Sequence, residues 1–285
     1  MSRLQHLKAV VQEQFLQSKT GSLKDCEDSI HLSDYFIAVI DGATSHTTRK
    51  WNEETGGKVA TTIIGRAFND MPPEVTAREA AGLMTSMIQD VYEQYNMLET
   101  VKKNPSQRIA ASFAAISLFQ QEVWLIGDCQ CLLGNQYVSN QRIVDQILSR
   151  ARALFLEVEV LKGMTIEELR QNEKGREFIM PLLKGHTVFQ NNPSVRGYWY
   201  PAVDGFDIPS AGIIIQPIPF DVDDIALASD GYPVLKNNLK ETETILQDIL
   251  KKDPLMFREY KSTKGMLEGY VSFDDRAFVK VKLKR

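Results

Sequence analysis

Three apolar runs that each end on a carboxylate constrain this chain more than any other feature. "YFIAVIDG" carries Phe36 to Ile40 into Asp41, "EVWLIGD" runs to Asp128, and "DDIALASDG" runs to Asp230. Apolar residues at consecutive positions mark strands buried on both faces. Such strands need a second sheet or a layer of helices on each side. A carboxylate at the end of such a strand is costly unless it is paired or bound to a cation. Asp-Gly is also an ordinary turn dipeptide, but a hairpin reading predicts another strand directly after it. Gly42 is followed by "ATSHTTRKW", which leads into a helix, and Gly231 by "YPVLKNN", which does not alternate. Asp204-Gly205 lies in loop-like sequence and keeps the turn reading.

The rest of the chain groups helices with helices and strands with strands. Residues 2–17 read as an amphipathic helix. Residues 48–68 read as a helix with Gly56-Gly57 weakening its middle, broken by Pro72-Pro73, and 74–99 as a second. "IAASFAAISLF" and "EVWLIGD" form a hairpin through Gln120-Gln121, and "CLLGNQYVS" turns at Gly134-Asn135. Residues 141–180 are charged and helical in pattern. Residues 184–210 are rich in Gly, Pro and Asn and read as a long loop or flap; within it, Tyr198, Trp199 and Tyr200 read as a packed loop. "AGIIIQPIPF" and "DIALASD" are strands, 239–252 a helix, and "RAFVKVKLK" an alternating, half-buried strand near a sheet edge. This order favours antiparallel sheets flanked by helices over a doubly wound fold. The chain reads as one domain, residues 1–285, with a flap or insert over about 141–210.

Composition excludes several classes. A net charge of −4 lacks the basic excess of a nucleic-acid binder. No apolar run is long enough to span a membrane, and "MSRLQHLKAVVQEQF" is too polar for a secretory signal. Cys26, Cys129 and Cys131 form neither a C-x-x-C pair nor a disulfide framework, which suits a reducing cytoplasm. "TGGKVATT" is not a phosphate-binding P-loop, no G-x-S-x-G elbow exists, and His6, His31, His46 and His186 lack zinc-ligand spacing.

Two further stretches are acidic: "KDCEDSI" with Glu27 and Asp28, and "SFDDRAF" with Asp274 and Asp275. Carboxylates gathered at one site repel, by about 4 kcal/mol for two charges about 4 Å apart at an effective dielectric of 20. Divalent cations remove that repulsion, and oxygen-only ligands suit Mg²⁺ or Mn²⁺ over Zn²⁺. A glycine after the Asp lets backbone and water approach the ions.

The ordered series Glu27-Asp28, Asp41-Gly42, Gly127-Asp128, Asp230-Gly231, Asp274-Asp275 resembles the metal-dependent type 2C Ser/Thr protein phosphatases, over roughly residues 20 to 284. The resemblance implies an α+β fold, a four-layer α-β-β-α sandwich of two antiparallel sheets flanked by helices. It implies two Mn²⁺ or Mg²⁺ ions, with a third, weaker site. Asp41 would bridge the two metals, the Gly42 carbonyl and Glu27 would bind one, and Asp230 and Asp274 would complete the other. Asp128 would help hold the third. Asp41, Glu27, Asp230 and Asp274 form the implied catalytic set, and the implied reaction is one-step attack of a metal-bridged water on a phosphoserine or phosphothreonine of a protein partner.

Some positions depart from the family pattern. Ala43 replaces a common histidine, and His46, three residues on, reads as a surface residue. Leu23 replaces an arginine that grips phosphate, which leaves Lys24 as the candidate phosphate contact, a point charge without the guanidinium fork. Cys129 and Gln130 follow Asp128, and Asp275 adds a negative charge. Two alternatives stand beside the phosphoprotein phosphatase: a catalytically weak regulatory or binding module, and a dinuclear hydrolase of a small phosphorylated metabolite. The expected setting is cytoplasmic, without nucleic acid or membrane as partner.

Overall fold

The computed structural model describes residues 7–44, 47 and 49–284. Among these, ten strands form two five-stranded antiparallel sheets. One sheet holds β2 (Ser29–Leu32), β3 (Phe36–Gly42), β4 (Ala111–Ser117), β5 (Glu122–Ile126) and β8 (Ile213–Pro217), in that order. The other runs β1 (Lys8–Gln17), β10 (Arg276–Lys284), β9 (Asp224–Ala228), β6 (Gln130–Leu133) and β7 (Gln136–Ser139).

The unbroken apolar runs divide by parity, because side chains alternate between the faces of a strand. On β3, Ile37 and Val39 face the second sheet, where they join Leu227, Val279 and Val281 in the inter-sheet core. Phe36, Ala38 and Ile40 face outward, against α1 (Gly56–Asp70) and α2 (Ala77–Gln94). On the far side, Ala226, Ala228 and Phe278 pack beneath α7 (Leu239–Lys252) through Leu246 and Leu250. The result is four layers, α-β-β-α, as expected. The remaining helices are α3 (Leu98–Lys103), α4 (Ile143–Leu161), α5 (Ile166–Gln171) and α6 (Lys174–Gly185). Leu148 of α4 packs on Ile179 and Leu183 of α6.

Three expectations need correction. The helix read over 2–17 is, from Lys8 onward, the edge strand β1, which pairs with β10 through a register shift between Val11 and Glu13; residues 2–6 lie outside the described residues. The helix read over 48–68 begins only at Gly56, where the Thr55 hydroxyl accepts from the Lys58 amide at 3.3 Å. Before it, Asn52 and Glu53 take left-handed φ values of 49° and 70° in a tight Trp51–Glu54 turn, which no helix continues through. The helix read over 74–99 starts at Ala77 behind a Thr76/Glu79 capping box and breaks at Asn96, φ 54°.

The 184–210 segment is tied down rather than loose. Val203 and Ala111 exchange backbone hydrogen bonds of 2.9 and 3.1 Å. Asp204, fully buried, pairs with Arg108 at 2.9 Å. Gly205 keeps the turn character, with φ +83°, and a Cβ there would meet the Tyr92 ring at 2.6 Å.

Candidate active site

The strand ends bring five of the predicted residues to one cavity of about 490 Å³: Asp41, Gly42, Asp128, Asp230 and Asp274 line it. Asp41 shares the parity of Ile37 and Val39, so it continues the inter-sheet face one step beyond the apolar core. Its register partner on β4 is Ser112. The Ser112 hydroxyl donates to Asp128 Oδ1 at 2.6 Å. That contact needs Gly127, which sits at φ +85° and whose absent Cβ would overlap the Ser112 side chain.

Glycine at 42 has a different reason from the one its sequence suggested. A Cβ there would lie 2.5 Å from the Glu27 carbonyl and 2.8 Å from the Gly57 backbone. The first turn of α1 therefore rests directly on the end of β3. Glu27 points into this junction, since its Oε1 would lie 2.9 Å from a Cβ at Gly57. Glu27 is buried and does not line the cavity, and burial pushes its carboxyl up. Its neighbour Asp28 does not line the cavity either, but it is the member of the pair that feels Asp274 and Asp230. Burial pushes the Asp28 carboxyl well up, and Asp275, Asp274 and Asp230 push it further.

Asp41 and Asp230 behave alike. Burial raises both carboxyls well above the ordinary range; Asp28, Asp128 and Asp274 add to this at Asp41, and Asp41, Asp128 and Asp274 at Asp230. Asp274 goes the other way. Burial opposes its charge, but Lys264 and Lys19 beside it hold the carboxyl low. Asp275, the extra charge noted in the sequence, is a clamp: it accepts from the Lys19 and Glu27 amides, both at 2.9 Å, and so fixes the strand entry that carries Asp28.

Two cations inside the site carried no local sequence signal. Arg142, at the head of α4, donates to Asp128 Oδ1 at 2.8 Å and to the Ser112 hydroxyl at 2.9 Å, and lies over the Tyr200 ring at 4.8 Å. Tyr200 in turn bonds His186 Nδ1 at 3.0 Å. Lys264 bonds the Asp274 carboxylate. Burial works against its ammonium, but Asp274 and Asp230 outweigh that and keep it protonated. Lys24, by contrast, is exposed on the short 3-10 turn Leu23–Asp25 and does not line the cavity; its carbonyl accepts from Lys58 Nζ at 2.9 Å. His46 lies outside the described residues.

In donor type and charge the cluster fits a hard divalent cation. The donors are oxygens, and the buried Glu27 Oε1 and Asp28 Oδ2 have no hydrogen-bond partner among the described residues. In spacing the acids stand apart: among the described residues, no three Asp, Glu, His or Cys side chains are close enough together to hold an ion.

The chain is similar to solved structures of phosphatases. One is the serine/threonine phosphatase PstP/Ppp of Mycobacterium tuberculosis, 16% identical, covering 99% of this chain and 100% of that one, TM-score 0.49. Another is the catalytic domain of PstP in complex with two manganese ions, 14% identical, 98% and 100% covered, TM-score 0.49. A third is Stp1 of Staphylococcus aureus, 14% identical, with both chains fully covered, TM-score 0.47. No family model matches the chain, and no curated protein matches it in sequence. The two antiparallel sheets and their flanking helices are those that the resemblance to the type 2C phosphatases implies. What the site can do is read from its own residues.

Proposed function

We propose that this chain is a metal-dependent phosphatase that removes phosphate from phosphoserine or phosphothreonine in proteins. The observation that supports it most is the delivery of Asp41, Asp128, Asp230 and Asp274 by separate strand ends into one cavity whose wall also carries Arg142. Of these, Asp41 and Asp230 are buried against their own charge, and a cation-dependent chemistry gives the cluster a use. Asp41, Asp230 and Asp274 would hold divalent cations, Mn²⁺ or Mg²⁺, with Asp128, Glu27 and the Gly42 carbonyl in support and Asp28 behind them. When bound, such ions supply charge neutralisation and a water acidic enough to act as nucleophile near neutral pH.

The chain's own residues do the positioning. Arg142, not Lys24, is assigned the phosphate contact, because Arg142 lines the cavity and Lys24 does not. Its Nη2 is fixed by Asp128 and Ser112, which aims the guanidinium plane, while Nη1 reaches only Asp145, 4.0 Å away, among the described residues. A guanidinium held this way presents a fork to phosphate oxygens. The Tyr200 ring backs one face of that guanidinium.

One observation favours a second reading, the catalytically weak binding module: a lysine ammonium already neutralises Asp274. Hydrolysis of para-nitrophenyl phosphate and of a phosphothreonine peptide, in EDTA and then with Mn²⁺ or Mg²⁺, separates the two. Turnover restored by metal and absent in Asp41→Asn is expected. No turnover with either metal, on either substrate, would overturn the enzyme reading, and a strong preference for the small ester would redirect it to a small phosphorylated metabolite.

A further inference from the structure

Lys264 does not reach the carboxylates by chance of a flexible loop. The loop after α7 is built around two buried charges. Asp253 Oδ2 accepts from the amides of Phe257, Arg258 and Glu259 at 2.9, 2.7 and 2.9 Å. Arg152 of α4, 1% exposed, donates through Nη1 to the carbonyls of Leu255 at 2.8 Å and Ser262 at 3.2 Å. The residue after the lysine has no room for a side chain: a Cβ on Gly265 would lie 2.7 Å from Arg152 Nη2 and 2.9 Å from the Leu255 carbonyl. Lys264 is thus carried on a structured loop with its ammonium on Asp274.

The cluster is therefore divided. Asp274 has the tethered Lys264 ammonium, with Lys19 at 3.9 Å, and Asp128 has Arg142. Among the described residues no Lys or Arg forms an ion pair with Asp41, Asp230, Asp28 or Glu27, and one oxygen each of Asp28 and Glu27 is buried without a partner. We infer that Lys264 is a built-in competitor for a divalent cation at Asp274, so that the cluster takes up metal with unequal affinity: a site that does not use Asp274 fills directly, the site that uses Asp274 only by displacing the ammonium. The inference rests on the metal-dependent reading above and adds to it an order of filling and the residue that sets it. Two like charges cannot share one carboxylate pocket without mutual repulsion, which is the physical basis of the competition.

The test is Mn²⁺ titration of the full chain by calorimetry and by the electron paramagnetic resonance of free Mn²⁺, for wild type, Lys264→Met and Lys264→Arg. Wild type should show one tight site and one at least tenfold weaker. Lys264→Met should tighten the weaker site tenfold or more, and Lys264→Arg, which keeps the charge, should bind as wild type. A second measurement does not depend on the titration. In EDTA, Lys264→Met should melt below wild type, because Asp274 loses the nearer of its two counter-charges, and Mn²⁺ should recover more of that loss than it adds to wild type. A variant that folds only with Mn²⁺ present supports the same conclusion. Superimposable isotherms for wild type and Lys264→Met, with metal bound, would overturn the inference and leave the metal-dependent reading standing. No Mn²⁺ binding by either protein at millimolar concentration would overturn that reading and the inference with it.

Discussion

Asp204→Ala should be among the most destabilising single changes in this chain. The carboxylate is fully buried and accepts four hydrogen bonds. Oδ2 takes Arg108 Nη1 at 2.9 Å and Gln190 Nε2 at 2.7 Å; Oδ1 takes Asn191 Nδ2 at 2.9 Å and the Phe206 amide at 3.0 Å. Removing it strands the Arg108 guanidinium, whose side chain is 10% exposed and already pressed on the Phe206 ring at 3.9 Å. Losing one partner of a buried ion pair costs about 3–5 kcal/mol, because the other charge stays behind. At about 4 kcal/mol, and with m near 3 kcal/mol/M, the urea midpoint should fall by roughly 1.3 M with m unchanged. The double variant Arg108→Ala/Asp204→Ala should lose less than the sum of the single changes, since it leaves no orphaned charge. A loss below about 1 kcal/mol in the single variant would refute the reasoning. Activity should fall too, because the segment that Asp204 anchors carries His186 and Tyr200, and Tyr200 supports Arg142.

Asp41→Asn should lower phosphatase turnover at least a hundredfold, yet melt higher than wild type in EDTA, by about 1–2 kcal/mol, because one of several mutually repelling carboxylates is gone. Wild type in EDTA should itself lose stability as pH rises. Asp28, Asp41 and Asp230 have folded-state carboxyls raised above the ordinary 3.8, so the folded chain holds protons that the unfolded chain has released. Stability is then highest at and below about pH 4 and falls as pH climbs toward the raised values; Asp274, held low, opposes this only below 3.8. Thermal melts across pH, with and without Mn²⁺, check it, and a flat or rising profile in EDTA would contradict the cluster's electrostatics. Arg142→Lys should raise KM for a phosphopeptide about tenfold, since a point charge replaces a fork, whereas Lys24→Ala should leave KM unchanged; initial-rate kinetics decide both. Gly127→Ala should cost about 2–4 kcal/mol, from strain at φ +85° and overlap with Ser112, and should disorder Asp128; chemical denaturation measures the first effect.

Where local pattern settles an element, the sequence reading holds. β3 and β5 are legible because both faces are buried, and the hairpins β4–β5 and β6–β7 because their turns separate clear strands. α7 runs over Leu239–Lys252, as read, because Asn238 caps it, its side chain accepting from the Glu241 amide at 2.8 Å, and because its apolar residues face one way. β1 is missed because its identity comes from β10, at the other end of the chain, and an edge strand with one partner shows mixed exposure that mimics a helix. Asp204 reads as a turn residue because its partners Arg108, Gln190 and Asn191 come together only in the folded chain. Arg142 and Lys264 are missed for the same reason. Nothing in "SNQRIV" or "STKGM" separates a site cation from a surface one, whereas the Asp residues stand out against the apolar runs they end.

That contrast has a physical origin in how the site is made. The apolar core between the sheets needs strands buried on both faces, and such strands can stop only where backbone groups regain water or polar partners. Asp41 stands at that margin, on the same face as Ile37 and Val39 but one step past them, and Asp128 and Asp230 mark the ends of their own runs. Carboxylates at such a margin are half desolvated, close enough to repel and open enough to bind. Cations from elsewhere in the chain then decide how much of that repulsion remains. Arg142 is committed to Asp128, Lys264 to Asp274 and Lys19 to Asp274 and Asp275. Asp41, Asp28 and Asp230 form no ion pair among the described residues, so substitutions that relieve them should stabilise the chain and silence it together, the trade expected where binding chemistry and folding stability draw on the same charges.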